Sequence, residues 1–143
     1  MVHCATCGAH CECSLSDTGG PPPAGGTLQE RLHAGNIAWD VRLRVMFEAS
    51  VALLFLHSSS PAIMHRDFKP SNIMLTRGGM AKLTDVGLAK EVPMGGSRLA
   101  THSSVAGSQG FIDPRYIQTR EYRAASDVYS VGVSLLMVLL GHT

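Results

Sequence analysis

The sequence predicts an α+β fold that is mostly helical and occupies most of the chain. Two long segments, Trp39–His57 and residues 126–140, carry apolar residues with the spacing or continuity of helices. Short apolar pieces between them suit small strands, and turn residues separate these pieces. A length of 143 residues, of which 45% are apolar and 16% charged, fits one modest globular domain.

The charge and hydropathy of the chain exclude two classes of partner. A formal net charge of +1 gives no field that favours nucleic acid or an anionic membrane. The most apolar stretch, residues 128–140, is interrupted by Ser130, Gly132 and Ser134 and is shorter than the roughly 20 residues that cross a bilayer. We expect no nucleic-acid partner and no membrane segment, and we interpret this stretch as a fully buried core helix.

Residues 1–26 are rich in Cys, Gly and Pro, and we expect a disordered tail there, followed by a domain over residues 27–143. The tail contains all the cysteines and two histidines: Cys4, Cys7, Cys11, Cys13, His3 and His10. These residue types bind zinc, so a zinc site stays an alternative, but the spacing differs from that of zinc fingers. No export signal begins the chain, which predicts a reducing, cytoplasmic setting.

The elements of the domain follow in order. Thr27 begins a short helix that ends near Leu32, and Glu30 three positions later predicts a capping box. The long helix Trp39–His57 repeats apolar residues every three or four positions and ends at the S-S-S-P run of residues 58–61. Strands are predicted at residues 63–64, 73–75 and 81–83, a polar loop at 93–110, and the second long helix at 126–140.

Residues 65–72 read H-R-D-F-K-P-S-N and place a carboxylate, an ammonium and an amide in one loop between two predicted strands. Phosphoryl transfer needs a group that orients the attacking hydroxyl, a cation for the phosphate charge and a metal ligand. Asp67, Lys69 and Asn72 suit these three tasks, and Asp85 follows the next strand as a second oxygen ligand. Since Mg²⁺ prefers oxygen ligands, the pattern indicates magnesium-dependent phosphoryl transfer.

The octet resembles the H-R-D-x-K-x-x-N catalytic loop of eukaryotic protein kinases, and residues 85–87, D-V-G, stand at the position of their D-F-G motif. The strings G-S-Q-G-F-I-D-P at 107–114 and S-D-V-Y-S-V-G at 126–132 continue the resemblance in register. It implies a partial kinase fold, the first part of the large lobe from the hinge-following helix to the central helix. The finer likeness is to plant receptor-like and cytoplasmic serine/threonine kinases, including the U-box branch.

The resemblance implies roles for individual residues. Asp67 would be the catalytic base, and Lys69 would contact the transferred phosphate, which in this family marks serine/threonine specificity. Asn72 and Asp85 would hold Mg²⁺, and Met74 would lie against the adenine of ATP. The substrate would be a protein hydroxyl.

Regulatory and structural roles are implied as well. Arg66 would receive the phosphate of a modified activation segment, unless that loop is a solvated segment that is never modified. Ser108 would replace the threonine that contacts the base. The candidate phosphate acceptors are Thr101, Ser103 and Ser104. Three residues would be structural: His65 would lie in the core, Gly87 would form a turn, and Asp127 would bind the amides of the catalytic loop.

Three departures from the family pattern bear on activity. No G-x-G-x-x-G precedes Thr27, and the first lysine of the chain is Lys69. Val86 replaces the usual phenylalanine, and Arg115 replaces a glutamate that anchors the segment. We therefore expect a serine/threonine kinase by family, present without its ATP-gripping small lobe and with negligible activity alone. The alternative is a catalytically inactive fragment that acts as a binding or regulatory module.

Overall fold

The computed structural model describes residues 25–93, 95–101 and 104–141. The helices of this part are α1 (Leu28–His33), α2 (Trp39–His57), α3 (Pro114–Thr119) and α4 (Ala124–Leu140), with a 3₁₀ turn at Pro70–Asn72. Its strands are β1 (Ile63–Met64), β2 (Ile73–Leu75), β3 (Ala81–Leu83), β4 (Lys90–Glu91), β5 (Leu99–Ala100) and β6 (Glu121–Tyr122). The mostly helical α+β class is confirmed, whereas most of the predicted tail lies outside the described residues.

The start of the described chain is fixed by a cap and by pairing with β2. The Thr27 hydroxyl accepts a hydrogen bond from the Glu30 amide at 3.1 Å, and the Glu30 carboxylate accepts one from the Thr27 amide at 2.8 Å. This confirms the predicted capping box. Just before it, the Gly25 amide donates to the Leu75 carbonyl, and the Leu75 amide donates to the Gly26 carbonyl. A Cβ at Gly25 would clash with the Leu75 carbonyl, so only glycine fits there.

Helices α2 and α4 run antiparallel, because the start of each lies beside the end of the other. At one end the Arg42 guanidinium donates to the Val138 carbonyl at 2.9 Å, and at the other His57 meets Asp127. The main core lies between α1, α2, β2 and α4 and contains Leu28, Leu32, Ile37, Val45, Met46, Ala49, Leu53, Phe68, Ile73, Leu75 and Val138. Phe68, from the loop of residues 65–69, packs into this core and so ties the loop to the helices.

The strands of the described residues pair in three antiparallel ribbons: β1 with β4, β2 with β3, and β5 with β6. In the β2–β3 hairpin Ile73 lies opposite Leu83. Residues that precede β2 and follow β3 therefore meet at one end of the hairpin. This register brings Asn72 and Asp85 to the same end of the β2–β3 hairpin.

The sequence missed or misjudged several elements. Strand β5 lies inside the predicted loop of residues 93–110. Elements β4, α3 and β6 were not predicted because none carries a clear hydrophobic pattern: the two strands have two residues each and α3 has six. The expectation of a fully buried second helix was wrong. Val128, Leu136 and Leu140 are each at least 60% exposed, since α4 packs only one face on α2. Within the described residues, no helix combines the length and the apolar character that a membrane crossing requires.

Candidate functional site

Asp67 lies in the loop that follows β1, and its carboxylate is buried among hydrogen-bond donors. Oδ1 accepts from the Ser108 amide at 3.0 Å, and Oδ2 accepts from the Asn72 side-chain amide at 3.0 Å. The Lys69 ammonium lies 2.7 Å from Oδ2. Burial alone raises the pKa of Asp67, but the hydrogen bonds from Lys69 and Ser108 and the charge of Lys69 outweigh it and lower the pKa. The carboxylate is therefore ionised and can accept a hydrogen bond from a hydroxyl.

Lys69 bridges the loop and the segment that carries Ser108. Its ammonium donates to the Ser108 hydroxyl at 2.5 Å in addition to its contact with Asp67. The Lys69 side chain is about one-fifth exposed, so it is not fully enclosed by the protein. A cation held in this position can neutralise the charge of an anionic group that approaches Asp67.

Asn72 and Asp85 lie at the end of the β2–β3 hairpin where β2 begins and β3 stops. The Asn72 amide nitrogen is used by the backbone and side chain of Asp67, and its oxygen has no partner among the described residues. Asp85 is exposed, has φ of 60°, and accepts one hydrogen bond from the Gly87 amide at 3.3 Å. The described residues contain no cluster of three His, Cys, Asp or Glu side chains around a metal position. One carboxylate and one amide oxygen fit Mg²⁺, which keeps waters and phosphate oxygens as its other ligands.

Asp127 is the anchor of the loop and is completely buried in α4. Oδ2 accepts from the His65 amide at 3.0 Å and lies 2.7 Å from His57 Nε2. Oδ1 accepts from the Arg66 amide at 2.9 Å and from the Tyr122 hydroxyl at 2.6 Å. Burial raises the pKa of Asp127, but these four donors outweigh it and the pKa is lowered. Burial and the neighbouring Asp127 charge raise the pKa of Tyr122, which keeps the phenol protonated as a donor.

His65 is fully buried and its ring is satisfied on both sides. Nδ1 accepts from the Asp67 amide at 3.3 Å, so the proton lies on Nε2, which is 3.2 Å from the Thr84 carbonyl. Burial lowers the pKa of His65 and favours this neutral form. The ring holds Asp67 in place and has no free nitrogen for proton transfer.

Arg66 has φ of 71° and is almost completely buried as a residue. It donates to the Leu88 carbonyl at 3.3 Å and to the Tyr116 hydroxyl at 3.4 Å, and it lies over the Tyr122 ring. Its Nε has no hydrogen-bond partner among the described residues. Beside it opens a cleft of about 500 Å³, whose polar lining includes Arg66, Lys90, Thr101 and Ser104.

The remaining residues singled out by the sequence take less central positions. Met74 lies half-buried in β2 opposite Lys82. Gly87 lies in the turn closed by the hydrogen bond from the Ala89 amide to the Val86 carbonyl. Ser103 falls outside the described residues.

Comparison with known proteins identifies this arrangement. The family model described as "Protein kinase domain" matches residues 23–143. The chain belongs to the protein kinase domain family. Three proteins of Arabidopsis thaliana confirm the likeness to plant kinases. The first, the receptor-like serine/threonine-protein kinase ALE2, is 40% identical over 117 residues, which cover 81% of this chain and 16% of ALE2.

Two further relatives represent the other branches of the resemblance. The serine/threonine-protein kinase PBL13 is 48% identical over 107 residues, which cover 73% of this chain and 21% of PBL13. U-box domain-containing protein 34 is 42% identical over 122 residues, which cover 80% of this chain and 15% of that protein. This stretch of kinase domain therefore spans about a fifth or less of the length of these three relatives.

Three residues of the kinase domain site were missed by the sequence reasoning. His57 and Tyr122 bind the anchor Asp127, and Tyr116 binds Arg66. His57 is the last residue of a predicted helix, and its contact with Asp127 exists only because α4 packs beside α2. The two tyrosines lie in short elements that carry no periodic pattern, so no feature of the sequence distinguished them.

Proposed function

We propose that this chain supplies the phosphoryl-transfer machinery of a serine/threonine protein kinase, with ATP as donor and a protein hydroxyl as acceptor. The observation that carries the proposal is the convergence of Asp67, Lys69 and Asn72 within hydrogen-bond distance, with Asp85 at the adjoining hairpin edge. The names of the relatives support serine/threonine specificity for this chain. In this proposal residues 27–143 form the first part of the large lobe, and the cytoplasm supplies the ATP.

Each side chain has a task that follows from its surroundings. The ionised Asp67 accepts the hydrogen bond of the substrate hydroxyl and directs its lone pair at the phosphorus. Lys69, held by Asp67 and Ser108, offsets negative charge on the transferred phosphoryl group. Because these groups are already hydrogen-bonded to one another, little reorganisation is needed when substrate arrives.

The metal and nucleotide contacts complete the proposal. The free oxygen of Asn72 and the exposed carboxylate of Asp85 hold Mg²⁺, which supplies positive charge at the phosphates of ATP when bound. Met74 in β2 offers an apolar surface for the adenine. The Asn72 amide nitrogen, which donates to Asp67, aims the amide oxygen away from the base.

A second candidate function is that of an inactive binding module. The observation that favours it is the exposure of large apolar side chains on both long helices, including Phe47 on α2 and Leu136 on α4. Large apolar side chains left at the surface are candidates for contact with a binding partner. In that case the chain would recognise partners of kinases without transferring phosphate.

One experiment separates the two functions. Residues 27–141 replace the matching segment of a related plant kinase, and transfer of radiolabelled phosphate to a basic protein is measured. We expect serine and threonine phosphorylation that falls by about 10²–10⁴ in the Asp67→Asn variant, the range of a lost general base. An Asp40→Asn variant, altered on the exposed start of α2, serves as the control.

The same transfer assay is also carried out on the isolated chain. It should show no transfer above its own Asp67→Asn variant, since its described residues contain no Gly-rich loop that covers phosphates. A chimera that folds and binds ATP but transfers no phosphate would overturn the kinase proposal and leave the binding module.

A further inference from the structure

The β5–β6 ribbon brings two arginines together around one carboxylate. The two strands are antiparallel, and extending their register by one position sets Arg98 opposite Arg123. The Glu121 carboxylate lies between them: Arg98 Nη1 is 3.1 Å from Oε1, and Arg123 Nη2 donates to Oε2 at 2.8 Å. Like charges opposite each other destabilise a strand pair, and a single carboxylate offsets only part of their repulsion.

Both guanidiniums keep most of their hydrogen-bonding capacity. A guanidinium has five N–H donors, and Arg98 and Arg123 each use one nitrogen on Glu121, with no other acceptor for their side chains among the described residues. The two side chains are 56% and 52% exposed. The hydrogen bond from Arg123 and the charges of both arginines lower the pKa of Glu121, which keeps it ionised. The three side chains therefore carry one net positive charge and present free donors to solvent.

A third arginine adjoins this pair in a backbone conformation that favours glycine. Arg120 ends α3 with φ of 58°, in the left-handed region where a Cβ raises the energy. The residue is exposed, and its side chain has no hydrogen bond or ion pair within the described part of the chain. The fold gives no structural reason for an arginine here, and strained positions of this kind are typical of functional sites. Arg120 adds a second net positive charge next to Glu121.

The ribbon has a fixed position relative to the catalytic loop. The Tyr122 hydroxyl donates to the Asp127 carboxylate at 2.6 Å. Asp127 in turn binds the backbone amides of His65 and Arg66, in the loop that carries Asp67. A partner bound at the ribbon is therefore held at a constant position relative to Asp67.

Charge decides which partner fits these arginines. Guanidiniums bind carboxylates through paired, charge-assisted hydrogen bonds, and Glu121 already shows that both side chains can reach one carboxylate. The whole chain carries a net charge of only +1, so the positive field is local. Nucleic acid and anionic membranes are attracted by broad positive surfaces, whereas a short run of Asp and Glu in a protein matches a small cluster.

We propose that Arg98, Arg120 and Arg123, the arginine cluster, dock a short acidic segment of the protein substrate. The inference rests on the proposed function, because it names the substrate class of that site. Carboxylates of the segment take the free donors of Arg98 and Arg123, and Arg120 adds attraction at the end of α3.

Binding to the arginine cluster is measured on the full chain without ATP. Labelled peptides of equal length carry one serine followed by a run of Asp and Glu, or of Asn and Gln, and fluorescence anisotropy gives their Kd. We expect the acidic peptide to bind at least about tenfold more tightly than the neutral one, by a margin that shrinks as salt is added. Equal Kd values would overturn the inference, as would tighter binding of phosphatidylserine vesicles or of duplex DNA.

Two variants with opposite expected effects locate the binding surface. The double variant Arg98→Gln, Arg123→Gln should weaken binding of the acidic peptide by about threefold to tenfold. Glu121→Gln should strengthen it, because the amide oxygen still accepts a hydrogen bond while the competing negative charge is gone. Arg77→Gln, at an exposed position in the turn between β2 and β3, is the matched control and should leave the Kd unchanged.

The outcomes of these variants are read on folded protein, which circular dichroism checks. Glu121→Gln that fails to strengthen binding, or Arg77→Gln that weakens it as much as the double variant, contradicts docking at the arginine cluster.

The chimera separates this inference from the proposed function. In an active chimera the double arginine variant should raise KM for the acidic serine peptide by about the factor seen in the Kd and leave kcat unchanged, because docking is equal in the ground and transition states. An active chimera without preference for the acidic peptide contradicts the inference alone. Binding that depends on the arginine cluster, in a chain whose chimera transfers nothing, supports docking while the proposed catalysis fails.

Discussion

His57 Nε2 lies 2.7 Å from Oδ2 of Asp127, which joins the last residue of α2 to the first turn of α4. Because the Asp127 carboxylate is ionised, the histidine nitrogen donates. The same carboxylate binds the backbone amides of His65 and Arg66, so the geometry of the loop that carries Asp67 depends on one buried charge. This dependence makes the anchor testable apart from any activity.

Replacing Asp127 by asparagine should destabilise the fold strongly. The amide offers one acceptor where four donors converge, and losing one partner of a buried charged network costs roughly 3–5 kcal/mol. Urea unfolding followed by circular dichroism measures the loss in the free energy of unfolding. Asp40→Asn, on the exposed first turn of α2, should cost less than about 1 kcal/mol. Equal losses in both variants would contradict the anchor role.

Replacing Tyr122 by phenylalanine isolates one bond of the anchor. The ring keeps its edge-to-face contact with Tyr116, whose centroid is 4.9 Å away, and only the 2.6 Å hydrogen bond to Asp127 is lost. A hydrogen bond to a charged group contributes roughly 1.5–3 kcal/mol, so the free energy of unfolding should fall by about that amount. Tyr129→Phe, at an exposed position of α4, is the matched control and should be nearly neutral.

Stability should decline in two stages as the pH falls. The folded pKa of His65 lies below its usual 6.5, so the unfolded chain binds more protons and stability is lost as the pH falls below about 6.5. The folded pKa values of Asp67 and Asp127 lie below their usual 3.8, so their contribution persists above that value and is lost in stronger acid. Urea midpoints between about pH 8 and pH 2 measure both stages.

A substitution at His65 tests the first stage, the loss of stability below about pH 6.5. His65→Gln removes the titrating ring while an amide can still donate to the Thr84 carbonyl. The loss of stability between about pH 7 and 5 should then be smaller than in the parent chain. An unchanged pH slope would assign this stage to another group.

Replacing Asp85 by asparagine should weaken the metal site without affecting the fold. Asp85 is exposed and accepts only one long hydrogen bond, so the free energy of unfolding should change by less than about 0.5 kcal/mol. In the active chimera the variant should need more Mg²⁺ for half-maximal transfer. Glu91→Gln, an exposed carboxylate in β4, should leave the Mg²⁺ requirement unchanged, and a matching shift in both would contradict the assignment.

The long helices were predictable from the spacing or continuity of their apolar residues, and β1, β2 and β3 from short apolar pieces that turn residues separate. Thr27 and Glu30 also fixed a local cap, since a capping box needs only four consecutive residues. Strands β4, β5 and β6 were not predictable, because each has two residues that are charged or that adjoin polar residues, so only the partner strand defines it. The exposed face of α4 was misjudged for the same reason: an apolar pattern shows what can be buried, not what covers it.

The sequence by itself determined the family and the chemistry that the loop can offer. Asp67, Lys69 and Asn72 are close along the chain, so their proximity needs little tertiary structure. Only the tertiary structure decided what holds that loop, because His57, Tyr122 and Asp127 come from three separate elements that meet around one buried carboxylate. It also decided the partners of the Thr101 hydroxyl, since they follow it in the chain by 15 and 19 positions.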